Sequence, residues 1–426
     1  MIEPKKCIIK YSFHYDVHSV NQAVIGVVVF PLVAWLLGGR PQFSKKKTGL
    51  LLMCVVALTW IFLKIQGFNW VLNGVDVFSQ SLQNATQKGT DFVFGPLGLS
   101  INKSTGQSSM LFFFNVLPVI IVMSVVSALM VHFGVLAWLI KGIVRMTRFA
   151  GFVNPRMAVC VLCEVLFSQI ESTLFMRSNL RNMDRNEIVS LMAMGMSTTT
   201  LSLVGFYATL GDRVGHMTLT HIVTSSVVNI FSALALAELM IPSKGKDIDV
   251  FLNDESSFDT AGHAFSQGAI DGWSIVTAIA STMIASIALM ELVNYVFGWA
   301  CGILGYGPMT VQQCIGTLCA PLTWIMGIDA QDAAVSGVLL AEKTLLNETV
   351  ALTHMAQSSI SLRTCSILMY SVCSFSNILS VGAHIALWKV LCPEKVTVAR
   401  PLAFKALIVS ILAGGFSGCV ASFFMA

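Results

Sequence analysis

Long apolar runs almost free of charge govern what this chain can fold into. A membrane-spanning helix needs about 20 mainly apolar residues, and runs of that length occur at roughly 20–39, 48–67, 110–140, 187–210, 217–241, 272–304, 361–388 and 403–425. In lipid every backbone N–H and C=O must be paired inside the protein, which a helix does within a single segment. Composition agrees. Of 426 residues, 55% are hydrophobic and 11% charged, where a soluble domain carries about 25% charged residues; mean hydropathy is +0.76. The fold class read from the sequence is therefore all-α integral membrane, with about eight transmembrane helices. The first run lacks a small-residue cleavage site and outlasts a signal-peptide core, so it is expected to remain as an anchor.

Two further stretches, 156–176 and 311–355, are apolar but interrupted by Pro, Gly, Gln, Asn and Glu. They read as two re-entrant hairpins, allowed at membrane depth only where protein or a watery cavity covers the exposed backbone. Residues 68–105 alternate polar and apolar side chains and fit an amphipathic helix on the membrane surface; 243–268 is polar and reads as a loop. The chain divides into two N-terminal transmembrane helices (1–67), an interfacial and a scaffold helix (68–140), a first hairpin with transport-repeat helices (141–241), a loop and scaffold helix (242–304), and a second hairpin with transport-repeat helices (305–426). Lys and Arg mark the cytoplasmic side. Seventeen of 26, including Arg40, Lys45 to Lys47, Arg156, Arg177 and Lys389, share one face if both termini are outside and each hairpin returns to the face it left. Lys5, Lys6 and Lys10 run against this arrangement.

Several function classes fall away. The net charge of +4, with no basic run longer than Lys45-Lys46-Lys47, is too small for a nucleic-acid partner. The eleven cysteines are scattered through apolar stretches, where Cys behaves as a small hydrophobe. Cys160 and Cys163 form a lone CxxC with no second pair, which fits packing better than a metal site. HExxH, GxGD, a Walker lysine and GxGxxG are absent. Gly415-Phe416-Ser417-Gly418 reads as G-x-S-G, yet no His follows it, the last being His384. The chain is not expected to be an enzyme, and an intramembrane enzyme is the remote alternative. A channel would more naturally carry rings of repeated charge. His132, His216, His221 and His384 read as satisfied helix residues, and His354 has no derivable role.

The informative residues are carboxylates inside apolar sequence, each costing about 2.5–3.5 kcal/mol or more at bilayer depth unless it lines a cavity or has a partner. Glu164, Glu171, Glu342 and Glu348 lie in the interrupted segments, and Glu291 in the sixth span. Glu171 and Glu348 stand beside amides, in Gln169-Ile170-Glu171 and Asn347-Glu348. Amide plus carboxylate offers donors and acceptors to a polyhydroxylated neutral ligand. Hydroxyl-rich segments follow each: Ser197 to Gly205 and Ser374 to Gly382. Glu171 to Gly205 is 34 positions, as is Glu348 to Gly382. Two copies, 156–241 and 311–425, would form an inverted internal repeat, the pattern of secondary transporters with a midplane site; the plain alternative is close packing of Ser/Thr-Gly helices.

At these residues the sequence resembles the concentrative nucleoside transporter family. Ala320-Pro321-Leu322-Thr323-Trp324-Ile325-Met326-Gly327-Ile328 is similar to the family's A-P-L-A-W-x-M-G-V, Lys343-Thr344-Leu345-Leu346-Asn347-Glu348 to its K-x-x-x-N-E, and Phe375-Ser376-Asn377-Ile378-Leu379-Ser380-Val381-Gly382 to its F-A-N-F-S-S-I-G. The likeness covers roughly 110–425. It implies a homotrimer of eight-span protomers with two re-entrant hairpins, importing nucleosides by symport with sodium or protons. It implies no cofactor beyond the coupling ion H+ or Na+, and a place in the plasma membrane, or the inner membrane of a Gram-negative cell. The substrate would be a nucleoside or, alternatively, a related riboside or other polar metabolite.

Carried over, the resemblance gives Asn347 and Glu348 the ribose hydroxyls, with Asn377 and Ser380 completing the sugar site and Phe375 packing on the ligand. Gln169 and Glu171 would face the base, in Ser168-Gln169-Ile170-Glu171 where the family has G-Q-T/S-E. Ile170 could shrink the base pocket. At the ion site the family's Asn is replaced by Glu164, with Ser202 as a side-chain ligand and Phe167 and Leu203 as carbonyl donors. Burial favours the neutral form of a carboxyl, so Glu164 is expected to carry a proton, with sodium as the alternative.

Overall fold

The computed structural model describes residues 17–65, 69–97, 112–115, 117–135, 154–166, 176–199, 219–243, 258–305 and 309–425, together with Trp138, Gly142, Gln169, Ser172, Thr173 and Gly307. The described residues are helical, with no strand among them. In chain order the main helices are α1 (Val17–Leu37), α2 (Lys45–Lys64), α3 (Asn69–Phe94), α4 (Pro118–His132), α5 (Pro155–Leu166), α6 (Arg185–Ser197), α7 (Leu219–Met240), α8 (Ala261–Ile303), α9 (Val311–Ile325), α10 (Ala330–Leu345), α11 (Glu348–Gln357), α12 (Leu362–Val372), α13 (Ile378–Leu391) and α14 (Val396–Phe424). Side-chain caps start many of them. Asp184 and Glu187 form a capping box at α6, Thr310 and Gln313 another at α9, while Thr260, Asn347, Ser361 and Asn377 each accept a backbone N–H of the helix they open. Such caps pair donors that no helix can satisfy internally.

Among the described residues five stretches are long and apolar enough to cross a bilayer: Lys45–Lys64, Phe113–His132, His221–Met240, Ala261–Ile303 and Pro393–Phe424. They fall on five of the eight expected spans. The expected span at 20–39 is α1, apolar over Asn21–Leu37. That at 361–388 is not continuous: α12 stops at Val372 and α13 restarts at Ile378. That at 187–210 is helical to Ser197, and its part from residue 200 lies outside the described residues. The expected loop at 243–268 is shorter than read. Thr260 caps α8, so 261–268 is helix, polar in composition because it opens a helix of 43 residues about 65 Å long. The interrupted stretch at 311–355 is made of three helices. α9 and α10 pack tightly through Gly316 and Gly337, and α11 turns back on α10 after Leu346 and Asn347.

Packing separates two groups of helices. α8 lies along α4, where a side chain at Gly268 or Gly272 would strike the α4 backbone at Val125 and Ile121; α3 also leans on α4. The other group is built on α7 and α14, with α1, α2, α6 and α12 against them. α6 is buried throughout from Asn186 to Ser197, and most of α14 from Leu402 to Ser422 is enclosed. Basic residues read as face markers include three that are ion-paired, Arg181 with Glu394 at 2.6 Å on the surface and two others. Arg156 is fully buried, with Nη1 2.8 Å from Glu187 Oε2, and Lys47 Nζ is 2.8 Å from Glu238 Oε2. Burying a cation demands such a partner.

Candidate functional site

The site grows from two interruptions. α10 ends at Leu345, and Asn347 accepts the N–H of Val350 at 3.0 Å through its side-chain oxygen. This sets Glu348 as the first residue of α11, its carboxylate at a helix N-terminus, where negative charge is favoured, and only 6% exposed. The second interruption is 373–377. Ser374 donates to the Ser371 carbonyl, ending α12, and Asn377 accepts the Ser380 N–H at 2.9 Å, opening α13. Asn377 thus spends its oxygen on the cap, which leaves its amide to donate to Glu348 Oε2 at 3.4 Å. Lys343, 2% exposed on α10, donates from Nζ to Ser376 Oγ, which meets Ser374 Oγ at 2.9 Å. The expected Asn347, Glu348, Asn377 and Ser380 are buried together, and Phe375 is half-buried between them in sequence.

In the first half, Glu164 on α5 is 1% exposed. Ser172 Oγ donates to its Oε1, while Oε2 has no partner among the described residues. Gly195 of α6 lies so close to Glu164 and Gln169 that a Cβ there would fall 2.8 Å from Gln169 Cβ and 3.1 Å from Glu164 Oε1. Gln169 Oε1 bonds His384 Nε2 of α13 at 3.2 Å, bringing the first interrupted segment to the second half of the chain. Glu171, Phe167, Ser202 and Leu203, with Ser168 and Ile170, lie outside the described residues. Of the remaining carboxylates, Glu342 pairs with His354 at 2.9 Å across the α10–α11 turn, and Glu291 is exposed on α8.

The break after α6 meets the break after α12. α6 ends with Thr198 in extended conformation, and the Phe375 N–H donates to the Thr198 carbonyl at 3.3 Å. Asn229 of α7, fully buried, donates to Ser197 O at 3.1 Å and to Tyr370 O at 2.8 Å. One amide therefore satisfies carbonyls at both half-helix ends. Sequence reading passed over Asn229, although an amide at bilayer depth in Val227-Val228-Asn229-Ile230 is itself a signal. It quoted Lys343 and Ser376 in motifs without a role, and passed over Ser172 and the bond of His384 to Gln169, 215 residues away. Cys160 and Cys163 are buried in the hydrophobic core. Chemically the arrangement offers a carboxylate, amides and an ammonium group to a ligand rich in hydroxyls, and a carboxyl oxygen held dry for an ion or a proton.

Comparison with known proteins agrees. Family models for the Na+ dependent nucleoside transporter match at residues 25–97 (N-terminus) and 221–422 (C-terminus), and a nucleoside recognition gate model matches 113–213. NupX of Escherichia coli (strain K12) is 25% identical over 418 residues, covering 96% of this chain and 99% of its own. Solute carrier family 28 member 3 of Mus musculus is 26% identical over 376 residues, covering 83% of this chain, which spans about half (51%) of that longer relative. Among solved structures, CNTnw in an inward-facing substrate-bound state superposes with a TM-score of 0.86 at 23% identity, over 95% of this chain and 98% of that one. An outward-facing state of a CNTnw variant gives the same TM-score. These structures share the fold. Family members are transporters rather than enzymes, and a multi-pass membrane protein is what the apolar helices form. With both halves of the chain matched and the motif residues of the second half gathered around one helix break, this chain belongs to the concentrative nucleoside transporter family.

Proposed function

We propose that the protein imports nucleosides by ion symport through alternating access at a midplane site, with the proton as coupling ion. The observation that carries the reading is the buried Glu348 carboxylate, oriented by Asn377 at the point where two broken helices meet. A carboxylate accepting two vicinal hydroxyls makes charge-assisted bonds, stronger than neutral ones. Asn347 and Glu348 hold the ribose, Asn377 and Ser380 complete its site, Phe375 packs on the ligand, and Gln169 and Glu171 face the base. The crossing residues Thr198 and Phe375 are 177 positions apart, the same offset as Glu171 to Glu348 and Gly205 to Gly382, which supports an inverted repeat of two hairpin-bearing halves. α4 and α8 serve as the scaffold, and the helices around α7 and α14 as the moving body. The assembly is a homotrimer in the plasma or inner membrane.

Glu164 is the proton carrier. A buried carboxyl oxygen with no hydrogen-bond partner among the described residues is costly as an anion, so Oε2 calls for a proton or a cation, and Ser172 already serves the other oxygen. Sodium is the alternative, favoured by the description of the matching family models. A charge crossing 100 mV supplies about 2.3 kcal/mol, enough for a gradient of tens-fold.

The test is uptake of labelled uridine and adenosine into vesicles with imposed proton or sodium gradients. Loss of charge-assisted bonds worth about 1.5–3 kcal/mol each should lower uptake by Glu348→Gln about 100-fold or more. Saturable uptake undiminished in that variant, or uptake of no riboside at all, overturns the reading. Glu164→Gln should abolish the response to a proton gradient. Intact proton-driven uptake there, with transport requiring sodium, replaces the proton by sodium.

A further inference from the structure

His384 stands on the face of α13 that carries the sugar-site residues. Asn377, Ser380 and His384 follow at spacings of three and four, one row on a helix, and the row from first to last spans about 10 Å, the length of a riboside from its vicinal hydroxyls to the far edge of its base. The imidazole is 2% exposed. Its Nε2 meets Gln169 Oε1 at 3.2 Å, and its Nδ1 has no partner among the described residues. Gln169 is half-buried, with its carbonyl oxygen committed to this bond.

These contacts fix a direction. A neutral imidazole has one N–H and one lone pair. With Nε2–H donating to Oε1, the lone pair remains on Nδ1 and the Gln169 amino group points away from the ring. Turning the amide over would require the lone pair on Nε2 and leave a buried Nδ1–H with no acceptor among the described residues, and buried unpaired donors are rarer than buried unpaired acceptors. Resting on the reading of Gln169 as the base-facing amide, we propose that His384 is a specificity-determining residue: it holds Gln169 with its amino group toward the ligand, so that the site selects bases presenting a carbonyl oxygen over those presenting an amine. A site that offers a donor to a carbonyl leaves that donor unpaired, or facing another donor, when an amine takes its place.

Uridine and cytidine form one such oxo/amino pair, and inosine and adenosine the other. Competition by the unlabelled compounds against labelled uridine uptake, in vesicles containing the full chain, should give IC50 ratios of about tenfold or more for cytidine over uridine and for adenosine over inosine. His384→Leu should bring both ratios to within about threefold of unity, while His384→Gln, whose amino group can still donate to Gln169, should preserve them. Ratios do not depend on how much protein folds. Wild-type ratios near unity or reversed, or ratios unchanged in His384→Leu, overturn the proposal while leaving nucleoside transport intact. Uptake of none of the four compounds removes the transport reading and this one with it.

Discussion

Asn229 has a single amino group and uses both of its hydrogens, one on the last carbonyl region of α6 and one on that of α12. Half-helices ending inside a membrane leave carbonyls that no water can satisfy, so this side chain makes both breaks tolerable at once. Asn229→Leu keeps the volume and removes both donors. Leaving two buried acceptors unpaired costs about 1–3 kcal/mol each, so the variant should melt several degrees lower in detergent, and substrate should no longer stabilise it. A melting temperature and substrate shift equal to wild type would mean that the breaks are held elsewhere. The contrast with Glu348 shows what was readable in the chain. Glu348 and Asn347 announce themselves by chemistry that is expensive in lipid, and the structure buries them beside Asn377. Asn229 is equally conspicuous, but its partners are 32 and 141 residues away, a relation that no local pattern contains.

The helices themselves were legible where a run of apolar residues is uninterrupted, because lipid leaves the backbone little choice. Breaks were legible only as polar interruptions, which cannot tell two helices from three. The stretch 311–355 illustrates this: α9 is held on α10 by Gly316 and Gly337, whose missing side chains let the two backbones touch. Small residues of this kind are the usual way helices approach closely in membranes. Gly337→Leu forces them apart. Overpacking costs about 1–3 kcal/mol or more, and since α10 carries Lys343 and leads into Asn347, the displacement should reach the ligand. Uptake should fall about tenfold or more, whereas Gly382→Ala, at a position with open space around it, should leave helix packing and melting unchanged. Equal melting temperatures for Gly337→Leu and wild type would contradict the close approach.

At the level of the whole molecule, the N-terminal helices carry none of the motifs quoted from the sequence, yet the family's N-terminal model matches them and they are not peripheral: α1 lies along α14 and α2 along α7, with Lys47 of α2 paired to Glu238 of α7. They pack with the group built on α7 and α14, while α4 and α8 pair mainly with each other. The sequence set apart α4 and α8 as scaffold helices, but where α1 and α2 pack could not be read from it, because the residues at both surfaces are apolar and only their contacts tell them apart. It has a mechanical consequence. If the body around α7 and α14 moves past α8, a spin label at Leu289 of α8 and one at Val390 of α13, both exposed, should change separation by about 5 Å or more, one helical turn, when uridine and the coupling-ion gradient are added. Labels at Val390 and Phe404, the latter exposed on α14, lie within one body and should keep their distance to within about 2 Å, well short of that turn. Labelled protein is diluted with unlabelled so that only distances within a protomer are read, and accessible native cysteines are replaced first. A shift in both pairs would indicate deformation within the substrate-bearing body, and no shift in either would rule out its movement against α8.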